Sequence, residues 1–179
     1  SFVFIRAARE VIPDSTAVTV EHSLAKGLYC EVRGKALTWE LVKKIEKRMA
    51  EIIANDEPIE KRKVTKEEAV EIFKKDGQED KVRMLKYLSK PRGDVYKLGW
   101  LYDFYYSYLV PSTGYLKRFA LQFHLPGVII RFPTKENPVE LPEYIPQPKL
   151  AGIFYETERW AEIMEVDTIA ALNDIIVNN

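Results

Sequence analysis

TAVTVEHSLAKGLYCEVRG, residues 16–34, holds two short runs rich in β-branched and aromatic side chains, Thr16 to Glu21 and Leu28 to Val32. A segment containing Gly27 separates them and Arg33-Gly34 closes the second, so the stretch reads as a β-hairpin. Upstream, Phe2 to Ile12 sets apolar residues on adjoining turns and stops at Pro13-Asp14-Ser15. That predicts a helix and then a turn, because proline disfavours helical backbone in the residue before it. Downstream, Thr38 can cap a helix whose inner face is Leu41, Ile45, Met49 and Ile52, spaced by three or four residues. Thr65-Lys66-Glu67-Glu68 is a capping-box pattern opening a helix with Val70 and Phe73, which Gly77 ends. Val82, Leu85 and Leu88 predict one more short helix before the basic loop Ser89-Lys90-Pro91-Arg92-Gly93.

From Val95 to Arg131 the character turns aromatic and β-branched. Strands are expected at Trp100 to Tyr102, Phe104 to Tyr106, Phe119 to Phe123 and Val128 to Phe132. The charged run Glu57 to Lys63 reads as a solvated edge strand whose lysines discourage pairing with other chains. A proline-rich stretch, Pro133 to Pro148, leads to two terminal helices, the second capped by Asp167 with Ile169, Leu172, Ile175 and Ile176 on one side. Hairpins with helices grouped apart from them give an α+β fold: an antiparallel sheet with helices packed on it. The expected organisation is one domain over 1–150, followed by C-terminal helices over 151–179 that act as a linker.

Composition narrows the function. Lys plus Arg and Asp plus Glu are 27 each, so the whole chain lacks the excess charge that draws proteins to polyanions, and such binding has to be local. One cysteine, Cys30, excludes an internal disulfide framework and suits a reducing compartment, with cytoplasm as the expected location. No apolar run reaches the roughly 18 residues that span a bilayer, so no membrane partner is expected. The first residue is not Met and the opening apolar residues read like a helix entered partway, as in a piece of a longer protein.

The chain carries neither a Gly-x-x-x-x-Gly-Lys-Ser/Thr loop nor a Gly-x-Gly-x-x-Gly turn, so no nucleotide cofactor is expected within it. The imidazoles are His22 and His124 and the thiol is Cys30, too few for a zinc site, although His22 and Cys30 could approach across the hairpin. No metal is expected. Ser112 and Thr113, in Val110-Pro111-Ser112-Thr113-Gly114-Tyr115, could bind a ligand through hydroxyls and amides, and the same residues are ordinary turn formers. Tyr102, Tyr105, Tyr106, Tyr108 and Tyr115 could stack on bases, or serve as core and surface of a sheet.

The hairpin residues Val20 to Cys30, the helix Leu37 to Ile53 and the segment Asp103 to Gly114 together resemble the second additional domain of threonyl-tRNA synthetase, an editing-type domain. Gly27-Leu28-Tyr29 and Glu46-Lys47-Arg48-Met49 carry the likeness, which covers roughly the first two thirds of the chain. His22 to Cys30, Val110 to Tyr115 and Pro126 to Pro133 are similar to the same domain in uridine-kinase-like proteins, where a TGS domain and this domain precede a P-loop kinase domain. That resemblance implies a noncatalytic substrate-binding or regulatory domain of an ATP-dependent phosphotransferase. ATP and Mg would then be needed only by a kinase domain downstream in the same protein.

The family's editing site pairs His-x-x-x-His on the first helix with Cys-x-x-x-His after an Asp-aromatic pair. By position, Tyr105 stands for that cysteine, Leu109 for its histidine, and Phe2 falls near the second histidine of the helix. Neither a phenol nor an isobutyl group replaces a thiolate or imidazole as ligand or proton carrier, so no catalytic residue is expected. What the resemblance leaves is a cleft for a small polar ligand, nucleoside or amino acid, bordered by His22, Lys26, Tyr105, Tyr106, Ser112, Thr113 and Tyr115. The alternatives are that the tyrosines plug that cleft, that His22, Lys26 and the Ser112-Thr113 loop serve a diverged hydrolase, or that the tyrosines and Lys90-Pro91-Arg92 bind RNA.

Overall fold

The computed structural model describes residues 1–13, 17–34, 36–88, 92–166 and 169–178. They form helices α1 (Phe2–Val11), α2 (Trp39–Ala54), α3 (Lys66–Lys75), α4 (Glu79–Lys86), α5 (Pro148–Ile163) and α6 (Ile169–Asn178). The strands are β1 (Val18–Leu24), β2 (Gly27–Val32), β3 (Ile59–Thr65), β4 (Arg92–Leu98), β5 (Leu101–Phe104), β6 (Ala120–His124) and β7 (Gly127–Arg131). The fold is α+β. Two sheets are present, ordered β1-β2-β7-β6 and β3-β4-β5, and every strand register defined between neighbours is antiparallel. No helix among the described residues is long and apolar enough to cross a membrane.

The chain divides into two compact units, Ser1–Arg62 with Val95–Ile145, and Lys63–Asp94 with Pro146–Asn179. Where the sequence suggested one boundary near 150, the second unit is drawn from two separate stretches.

In the first unit, β1 and β2 form the expected hairpin, with Leu24 opposite Gly27 and the two-residue turn Ala25-Lys26 between them. Both turn residues have positive φ, 49° and 58°, the left-handed geometry that matches strand twist across a tight hairpin. Cys30 and Val32 of β2 and Val128 and Ile130 of β7 join a core with Phe2, Phe4 and Ala7 of α1 and Val42, Ile45 and Ile52 of α2. Adjacent strand residues face opposite ways, so Tyr29 and Ile129 lie on the other face of the sheet. The α2 face is shifted from the expected one: Val42 and Ile53 are buried beside Ile45, Met49 and Ile52, while Leu41 is only partly so. The Thr38 side chain accepts from the Leu41 amide at 3.3 Å, the cap that the sequence announces. Residues 59–63 of the charged run lie on β3, an edge strand of the second sheet, and Glu57 and Pro58 precede it.

In the second unit, Thr65 and Glu68 form the reciprocal capping box of α3, and Gly77 follows its end at φ 71°. The residues expected along one side of α6, Ile169, Leu172, Ile175 and Ile176, are all exposed, and Ala170 and Ala171 are the buried ones. Small alanines allow close approach where longer side chains would hold the elements apart. The contact is with α4, and Asp174 accepts from Arg83 and Tyr87 beside it. Ser15, Thr16, Ser89-Lys90-Pro91 and the Asp167 cap lie outside the described residues.

Gly127 opens β7 where the backbone of β2 passes closest. A Cβ there would sit 2.1 Å from the Cys30 carbonyl oxygen, backbone that cannot swing aside. Gly127→Ala is therefore expected to lower stability by about 3 kcal/mol, read from the denaturant midpoint, since overpacking forces strands apart. An unchanged midpoint would refute this reading of the β2–β7 contact.

Candidate functional site

Tyr105 follows the last residue of β5 and turns its ring into the first unit. It lies 5.3 Å from the ring of Phe2 at the start of α1, and 6.1 Å edge-on from Tyr96 of β4. Its hydroxyl accepts from the Ser1 hydroxyl at 3.5 Å. Burial, and then the charge of Asp103, push the phenol far above the usual tyrosine range, so it stays neutral. Leu109 packs half-buried against the same core. The positions that resemble one histidine and the cysteine of an editing site are thus occupied by two aromatic rings in contact, and a third by an aliphatic side chain. A phenol kept neutral, a phenyl ring and an isobutyl group are poor substitutes for a thiolate and imidazoles as metal ligands.

Ser112 and Thr113 are held by structural bonds. Ser112 pairs with Pro58, the Ile59 amide donates to the Pro111 carbonyl at 2.8 Å, and the Thr113 amide donates to Glu57 at 2.9 Å. Fully buried, the Thr113 hydroxyl donates to the Ile52 carbonyl at 2.8 Å and accepts from the Glu57 amide at 2.9 Å. It closes the C-terminal end of α2, where carbonyls lack partners within the helix. The Ser112 hydroxyl and then the Gly114 amide bond Asp56 and hold its carboxyl below the ordinary range.

His22 stacks 5.1 Å from Tyr29, and Tyr29 meets His124 edge-on at 5.5 Å, so the two histidines of the chain flank one buried ring. Register places His22 opposite Tyr29 and Cys30 opposite Val20, which puts thiol and imidazole in different rows. Burial pushes the Cys30 thiol up to about 12, the behaviour of an inert core thiol. Lys26 sits exposed at the hairpin tip; Glu136 is held below the ordinary carboxylate range by its own backbone amide, then by the Thr134 hydroxyl, with the charge of Lys26 a smaller contribution. Tyr106 and Tyr115 are exposed at 98% and 68%.

The seven residues expected at a cleft therefore fall on separate local structures: hairpin, core, bridge and open surface. Among the described residues, no group of three or more His, Cys, Asp or Glu is placed to hold a metal ion. Sequence reasoning missed the Tyr29 sandwich, because strand spacing does not reveal which strands become neighbours. It also missed a buried ion network on Arg6, although the Arg6/Glu10 spacing of one helical turn was a readable signal.

No family model matches the chain. Over 119 residues, 64% of this chain, it is 31% identical to the threonine–tRNA ligase of Syntrophotalea carbinolica, 36% to that of Burkholderia lata and 37% to that of Burkholderia ambifaria. Over that stretch the chain is similar to threonine–tRNA ligases. The match spans 18% of the length of each ligase. The similarity supports the synthetase part of the resemblance and leaves its kinase part without a counterpart among these relatives.

Thr113→Val removes the hydroxyl while keeping the shape, which strands a buried carbonyl and a buried amide. Stability should fall by about 2 kcal/mol in chemical denaturation, whereas Thr113→Ser should stay near native; equal losses in both would refute the hydrogen-bonding role. His22 supplies a pH test. Burial holds its folded pKa below the ordinary 6.5, with His124 adding to and Glu21 opposing the effect. The unfolded chain thus takes up this proton first, so stability is full above 6.5 and is lost as pH falls through the lowered folded value. His22→Gln should flatten that acid-side decline; an unchanged slope would assign it to other groups.

Proposed function

We propose that this chain is an editing-type domain, related to that of threonine–tRNA ligases, whose hydrolytic centre is closed and which acts by binding. The observation that carries this reading is the 5.3 Å contact of Phe2 with Tyr105, where the resemblance calls for a histidine and a thiol. Two rings packed on each other fill space where the resemblance calls for reagents, and neither is a thiolate or an imidazole. The hairpin, α2 and the Pro111-Ser112-Thr113-Gly114 bridge would be the scaffold that presents an RNA end. Homology to tRNA ligases supports a role beside RNA better than a role beside a nucleoside kinase. A kinase domain elsewhere in the same protein remains compatible with it, and ATP-dependent phosphotransfer would then reside wholly in that domain.

The test is deacylation. With threonyl-tRNA and the smaller seryl-tRNA as substrates, the chain should leave the ester half-life within about twofold of the spontaneous value. Turnover that saturates with substrate and is lost in Tyr105→Phe would sink the closed-centre reading and make the phenol a working group.

A further inference from the structure

α5 carries Leu150, Ile153, Thr157 and Trp160 at alternating spacings of three and four, and Met164 extends the row, its amide donating to the Trp160 carbonyl at 3.0 Å. That is the seam of a helix built to lie along another helix. Thr157 fits the seam because its hydroxyl donates to the Ile153 carbonyl at 2.9 Å, which leaves the methyl to make apolar contact. The seam is bare. Leu150 is 39% exposed, Ile153 59%, Trp160 64% and Met164 58%, with Ile163 beside them at 66%. Among the described residues no strand or helix packs along α5. Sixteen residues of helix standing alone are marginal in water, and Gly152 in the second turn weakens this one further.

The charges of α5 are also reversed. A helix dipole favours acid at the start and base at the end, yet the first turn holds Lys149 and no acid, the last turn holds no base, and Glu165 follows the end. Glu165 stands at φ 57°, and the Val166 amide donates back to the Ala161 carbonyl at 2.9 Å, a closing motif that fixes Glu165 at the helix terminus.

We propose that α5 is the contact of a homodimer, pairing antiparallel with α5 of a second copy. An antiparallel copy answers both faults. It covers seam with seam, and it sets the Lys149 end of each helix beside the Glu165 end of the other, so that each misplaced charge meets an opposite charge and an opposite dipole end. A parallel pair would put lysine on lysine and glutamate on glutamate. From their exposed fractions, these apolar side chains offer roughly 600 Å² per copy, so two copies bury roughly the 1,200 Å² at which specific interfaces begin. A nonidentical partner would need its own matching reversal of charge, which a second copy has by symmetry. None of these residues belongs to the closed centre, so pairing and deacylation are read independently.

The experiment is sedimentation velocity of the 179-residue chain between about 5 and 300 µM. A reversible monomer–dimer equilibrium is expected. Ile153→Glu and Trp160→Ala should each weaken it at least tenfold, because a residue near the centre of the seam is buried in both copies at once. Lys149→Glu and Glu165→Lys should each weaken it about threefold, since symmetry makes each swap act twice, and the double variant should recover the native equilibrium. The sign of the Lys149→Glu effect is diagnostic: through the helix dipole alone that change firms α5 up, so weaker association reports the pair. Thermal melting at the lowest concentration, where the native chain is monomeric, should be the same for all variants, so that lost association is not lost fold.

A chain that stays monomeric throughout overturns the proposal. Association untouched by Ile153→Glu places the contact elsewhere and overturns it equally. Single swaps that strengthen the dimer, or a double variant no better than the singles, overturn the antiparallel pairing.

Discussion

Arg6 carries a guanidinium into the packed side of α1, and a charge so enclosed is tolerable only with its partners in place. Glu10, one turn on, accepts from it at 2.8 Å, and Glu57, past the end of α2, accepts from its other arm. Glu10 also binds Arg48 of α2 at 2.6 Å and the Trp100 indole at 2.9 Å. Burial alone would raise the Glu10 carboxyl, yet bonds from Arg6, Arg48 and Trp100 hold it below the usual range. Gly99, at φ 60°, lets the β4–β5 turn close over the group: a Cβ there would come within 2.7 Å of the Arg6 guanidinium. One charge thus fixes α1, α2, the segment after α2 and the tip of a hairpin in the same unit.

That constraint positions α1 independently of the side chains at its N-terminal end. α1 is held through Arg6, so Phe2 is delivered to Tyr105 whatever side chain stands at either position. The Thr113 hydroxyl secures the far end of α2 in the same manner, by completing a carbonyl and an amide that burial would otherwise leave unpaired. Neither device depends on a catalytic group. The framework around Phe2 and Tyr105 is therefore held by bonds made elsewhere, and aromatic rings occupy that space because they bury well there.

The exposed rings beyond Tyr105 follow from the same geometry. Once Tyr105 points inward, the next residues must leave the core, and Tyr106 and Tyr108 emerge beside β3 with Lys61 between strand and loop. A polar loop would have served as well for folding alone.

Much of the fold was written in local pattern. The hairpin of residues 18–32, the Thr38 cap, the Thr65/Glu68 capping box and the Gly77 stop each rest on bonds within a few residues, so spacing alone revealed them. The absence of a phosphate loop, and Tyr105 and Leu109 at positions where the resemblance calls for Cys and His, were equally plain in the sequence. What it could not reveal were choices among distant partners. Whether Tyr105 lines a cleft or fills it depends on Phe2 and Tyr96; whether Thr113 meets a ligand or a helix end depends on Ile52 and Glu57; which side of α6 is buried depends on α4. Periodicity names an apolar face but not the element that will cover it, and only tertiary packing brings residues some 60 to 100 positions apart within bonding distance.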